Sequence, residues 1–135
     1  MAQEQEQMQV SLSPTLHEEE YVFLSSPSGV YGDLAHLQPI AMFAEPEGLS
    51  LVAPRSAVDL ASVDYDSVQR LVSLGLNSSL DGVGLTATIA VALADKGIAA
   101  NVIAAYHHDH ILVPADRAED AVKVLQGLSW LDSGQ

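Results

Sequence analysis

Between Arg70 and Leu76 the chain alternates, with Val72, Leu74 and Leu76 on one face. That two-residue period predicts a half-buried strand. Asn77, Ser78 and Ser79 interrupt it. Ser78 followed three residues later by Asp81 predicts a helix start, and the acid suits the positive end of the helix dipole. Leu80, Val83, Ala87, Val91 and Ala94 keep helical spacing, so they are expected to form the apolar stripe. Lys96 falls in the last turn and Gly97 closes the helix. A second strand is predicted over 99–106, apolar on both faces except at Asn101. His107, His108 and Asp109 read as a polar turn, and His110 to Val113 as a returning strand stopped by Pro114. Asp116 and Glu119 then open a final helix, braced by Glu119 and Lys123 at i,i+4 and ended near Gly127.

The first half carries a weaker copy of this plan. Strands are predicted over Tyr21 to Ser25, Pro39 to Ala44 and Leu49 to Ala53, with Glu45 to Gly48 as a turn and a short helix over Ser56 to Ala61. Leu51-Val52-Ala53-Pro54 precedes Ala57 much as Leu112-Val113-Pro114 precedes Ala118. Where the second half has a crossover helix, Pro27 to Gln38 is too short and glycine-rich to form a full one.

Two strand–helix–strand–strand–helix runs predict an α+β protein of two tandem ferredoxin-like sandwiches, antiparallel sheets with helices on one face. The expected division is a disordered tail over 1–11, units over 12–66 and 67–128, and a C-terminal tail over 129–135. Each unit ends one strand short of βαββαβ. Either Tyr65 to Leu76 serves both units, or the halves exchange edge strands. Open edges also argue for pairing between chains, hence a homodimer.

Composition narrows the function. The 135 residues include 18 acids, 5 bases and no cysteine, for a net charge of −13. Disulfides, thiol nucleophiles and cysteine metal knots are excluded, and a chain this acidic is repelled by nucleic acid and anionic membranes. Residues 1–66 hold eleven of the acids and Arg55 as their single base. Glu18, Glu19 and Glu20 cluster before a strand, where adjacent carboxylates read as a solvated strand entrance rather than a converging cation site. The apolar run Gly82 to Ala94 is shorter than the roughly 20 residues of a membrane span. No basic, apolar leader opens the chain, and a cytoplasmic protein is expected.

The strand Leu71-Val72-Ser73-Leu74, the stretch Asn77 to Gly84, the helix closing at Lys96-Gly97-Ile98, and Ala100-Asn101-Val102 resemble the ACT-domain superfamily of amino-acid-sensing modules. More narrowly, Pro39 to Phe43, Glu47 to Val52 and Tyr106 to Ile111 are similar to small stand-alone bacterial proteins of two tandem ACT-like units. The second unit also resembles the ACT units of aspartokinases and of the cytosolic arginine sensor of animals. The resemblance implies a regulatory protein without catalytic activity or cofactor. It implies an amino-acid site formed by Asn77, Ser78, Ser79, Leu80, Asp81, Gly82, Val83 and Gly84, facing Asn101 and Val102. Any regulated enzyme is then a separate chain.

The residues themselves support such a site in part. Free amides at a helix start bind a carboxylate. Asp81 can pair with an ammonium, and Gly82 and Gly84 serve either a ligand's approach or close helix–sheet packing. Ser78 reads first as a cap and Asp81 as a dipole-compensating acid. Asn101 is the stronger candidate, because an amide in an apolar strand needs a partner. Two alternatives remain: a structural or oligomerisation module without ligand, and a metal site at His107, His108 and His110, where His108 and His110 share a strand face. No nucleophile elbow or phosphate loop supports an enzyme.

Overall fold

The computed structural model describes residues 8–76 and 83–132. Its strands are β1 (Met8–Ser11), β2 (Pro14–Pro27), β3 (Ala41–Glu45), β4 (Gly48–Pro54), β5 (Val68–Leu74), β6 (Asn101–Ala104), β7 (Asp109–Pro114) and β8 (Ser129–Asp132). Its helices are α1 (Arg55–Leu60), α2 (Leu85–Asp95) and α3 (Ala118–Gln126). They fall into two compact units, one of Glu18–Arg70 and one of Met1–His17 with Leu71–Gln135. The divisions run through β2 and β5, so each of these strands contributes to both units. Within β5, Val68 to Arg70 serves the first and Leu71 to Leu74 the second, the sharing anticipated for Tyr65 to Leu76.

In the Glu18–Arg70 unit the strand order is β5-β2-β4-β3. Tyr21 lies opposite Pro54 and Pro27 opposite Gly48, and Ala41 to Glu45 pair back along Val52 to Gly48. Val22, Leu24, Leu49, Leu51, Ala53 and Val58 form its core with Leu37. Leu37 ends the 3-10 turn Ala35–Leu37, which stands where the sequence allowed no full crossover helix. Pro54, with no amide hydrogen to donate, closes β4 and opens α1.

The terminal unit has the same order, β2-β5-β7-β6. Gly75 N donates to Ser13 O at 2.8 Å, which sets the N-terminal part of β2 in the fourth-strand place beside β5. The strand following α3 does not take that place: β8 pairs with β1, Met8 opposite Asp132 and Ser11 opposite Ser129. Residues 8–11 and 129–132, expected as tails, are therefore paired strands. Their backbone groups find each other because both ends of the chain belong to one unit.

Two expectations for α2 are corrected. The helix starts at Leu85, behind Gly84 as N-cap, whereas the expected cap Ser78 and Asp81 lie outside the described residues. Its buried stripe is Leu85, Ile89 and Leu93, packed on Val72, Leu74, Ile111 and Val113, while Val83 and Val91 are 88% and 59% exposed. Residues 85–94 are apolar almost all round, so helical spacing fits more than one stripe. Gly97, at φ 70°, ends the helix as expected. Asp116 sits in a 3-10 turn before α3 rather than capping it. There Arg117 spans 3.3 Å to Gly97 O and 3.1 Å to Lys96 O, donating to carbonyls that follow the C-terminus of α2.

Candidate functional site

Of the ten residues expected to form a ligand site, Asn77, Ser78, Ser79, Leu80, Asp81 and Gly82 lie outside the described residues. Val83 and Gly84 lead into α2. Gly84 has φ 100°, a conformation costly for residues with a Cβ, and accepts from both Thr88 N and Thr88 Oγ1 at 2.9 Å. Gly84, having no side chain, supplies no side-chain cap to the first amides of the helix.

Asn101 and Val102 begin β6, an edge strand. Val102 packs towards the core opposite Ile111, and Asn101 stands opposite Leu112 with its side chain exposed. An amide exposed in this way is hydrated and needs no partner within the protein, which corrects the expectation for Asn101.

The histidines separate. His107 is exposed and packs edge-to-face on Tyr106 at 5.0 Å. His108 lies in the turn, not on the strand face expected to pair it with His110. Its Nδ1 is buried without a hydrogen-bond partner among the described residues. His110 points from the sheet face opposite the helices, where Ser73 Oγ lies 2.7 Å from its Nδ1 and 2.8 Å from His17 Nε2. Burial first, then His108 and His17, lower the pKa of His110 below its ordinary 6.5, with Asp109 opposing. Among the described residues, no three His, Asp or Glu side chains are grouped to hold a metal ion. His17 and Ser73 were not singled out from the sequence, since 56 residues separate them and no local pattern joins them.

A second polar cluster lies in the Glu18–Arg70 unit. Arg55 Nη1 donates to Glu20 Oε1 at 2.8 Å and Arg55 Nε to Tyr65 Oη at 2.8 Å. Tyr65 donates in turn to Asp59 Oδ1 at 2.8 Å, and Ser56 to Glu19 Oε2 at 3.1 Å. The hydrogen bond to Glu20, then that to Tyr65, raises the pKa of Arg55. Glu18, Glu19, Glu20, Arg55, Ser56 and Asp59 line an open concavity of about 530 Å³. Glu18, Glu19 and Glu20 lie within β2 rather than before a strand, which corrects the expected strand entrance, and Glu19 and Glu20 are engaged by Ser56 and Arg55.

Residues 3–70 match the ACT domain, and residues 66–127 match it a second time. The chain belongs to the ACT-domain family. This ACT protein is 44% identical to Vibrio cholerae VC0802, described as a protein of unknown function and possible transport protein, with a TM-score of 0.81 over 87% of this chain and 88% of that one. Agobacterium tumefaciens Atu0741 superposes with a TM-score of 0.66 at 18% identity, covering 85% and 87% of the two chains. The regulatory subunit of aspartate kinase from Thermus thermophilus gives 0.58 at 13% identity over 86% and 96%, a likeness of fold. No curated protein matches the chain. Among the described residues, no helix is long and apolar enough to cross a membrane.

Proposed function

We propose that this tandem ACT protein is a non-enzymatic regulator that binds a small ligand, an amino acid, and converts occupancy into a change of assembly or of affinity for a separate protein. The observation that carries the reading is the start of α2. An ACT unit offers a helix N-terminus behind the left-handed Gly84, where amide donors meet a carboxylate. Asn77 to Gly84 would enclose the ligand, with Asp81 on its ammonium and Asn101 and Val102 closing the site from a neighbouring edge. A ligand that favours one packing over another shifts that equilibrium by its differential affinity, which is all a sensor requires.

A panel of the common amino acids in thermal unfolding tests this. A ligand at 100 times its dissociation constant stabilises by about 2.7 kcal/mol. One amino acid is expected to stand out and to lose its effect in Asn101→Ala. A flat panel sinks the sensor reading.

A second reading has its own support. Phe23 lies opposite Val52 and Phe43 opposite Ser50, on the sheet face turned away from the Val22–Leu24–Leu51 core. These two rings are 44% and 69% exposed, as an oligomerisation surface requires. Sedimentation velocity against concentration distinguishes it: Phe43→Ser is expected to weaken self-association, and a monomer at all concentrations removes this alternative.

A further inference from the structure

The three side chains His17, Ser73 and His110 come from adjacent strands β2, β5 and β7 of the terminal unit. All are partly buried, and Ser73 lies within hydrogen-bond distance of both rings, at 2.8 Å and 2.7 Å. A serine hydroxyl carries one hydrogen and two lone pairs. It can donate to one imidazole while accepting from the other, but it cannot donate to both.

We propose that His17, Ser73 and His110 form a proton-counting relay that clips the three strands together while at most one imidazole is charged and is weakened when both are.

The proton inventory leaves two neutral arrangements. In one, His17 donates from Nε2 to Ser73, which donates to a bare Nδ1 on His110; both rings then carry hydrogen on Nε2. In the other, His110 donates from Nδ1 and His17 accepts at Nε2; both rings then carry hydrogen on Nδ1. The tautomers of two residues far apart in sequence are thereby tied together. One added proton is tolerated, because a charged ring donates to Ser73 and the serine still has a neutral acceptor. A second proton leaves Ser73 accepting twice with its own hydrogen displaced, and places two like charges no more than about 5.5 Å apart. Three groups bear on the charge of His110. His108 and His17 oppose it and Asp109 favours it. The apolar Ile103 lies opposite His110 on β6.

Long-range proton–nitrogen NMR of the full chain and of its Ser73→Ala variant tests this. Its five histidines are assigned, and each ring is followed from neutral pH into mild acid. His17 and His110 are expected to show the same tautomer, and to take up their two protons more than about one pH unit apart. In Ser73→Ala the tautomers are expected to become independent. Opposite tautomers in the wild-type protein, or two rings that take up protons independently of each other, overturn the proposal. So does a tautomer pairing that survives in Ser73→Ala.

Discussion

Gly48 stands opposite Pro27 where β4 begins, and a Cβ on Gly48 would lie 2.2 Å from Ser26 O and 2.8 Å from Ser28 N. Its φ of 136° is one that side-chain-bearing residues avoid. The turn Glu45 to Gly48 closes the β3–β4 hairpin, so this glycine decides whether β4 can lie against β2. Gly48→Ala is expected to destabilise by about 2 kcal/mol or more. Gly97→Ala is the control: φ is 70° but nothing lies within 4 Å of the added carbon, and a loss of about 1 kcal/mol is expected. Denaturant unfolding of the two variants gives the comparison. Equal losses would contradict the role of the Ser26 carbonyl.

Leu93 is fully buried between α2 and the sheet of its unit, whereas Leu60 at the end of α1 is 89% exposed. Leu93→Ala is expected to cost about 2–5 kcal/mol. Leu60→Ala should fall within about 0.5 kcal/mol of the parent protein. A large effect at Leu60 would mean that something covers it in solution, which concentration-dependent melting would reveal.

The Glu20–Arg55 pair is solvent-accessible on both sides, with side chains 40% and 41% exposed. Salt screens such a pair, so its stabilising effect is small despite the short contact. Glu20→Gln should lower the melting temperature slightly at low ionic strength. In molar salt the difference should close. A loss that persists there would locate the effect in the hydrogen bonds to Tyr65 and Asp59 instead.

His110 gives the pH dependence its sign. Its folded pKa lies below the ordinary 6.5, chiefly through burial, so the unfolded chain binds this proton more readily. The neutral ring's contribution is therefore complete above about pH 6.5 and is lost as pH falls through the folded value. Denaturant melts at neutral pH and in mild acid should show a smaller acid-induced loss in His110→Gln than in the parent. An unchanged pH slope would assign the effect to other groups.

Much of the architecture was legible in the chain. The alternation of Val72 and Leu74, the proline stops at Pro54 and Pro114, and the glycine at the end of α2 all act within a few residues. Local sterics and hydrogen bonding decide them wherever the segment is placed. The missing crossover helix was equally readable, because Pro27 to Gln38 holds too few helix-forming residues. The candidate site was less so. Apolar neighbours single out Asn101, yet an edge position leaves it exposed, and strand order is not written in any one strand.

The sequence by itself determined most strands and helices of each half, since period, proline stops and turn residues are short-range properties of the chain. Only the tertiary structure decided which stripe of α2 is buried: Leu85, Ile89 and Leu93 win because they meet Val72 and Ile111. It decided too that β1 and β8 pair, and that His17, Ser73 and His110 share one hydroxyl. Those outcomes depend on which distant groups arrive at the same place, and burial and hydrogen bonding act on distance in space.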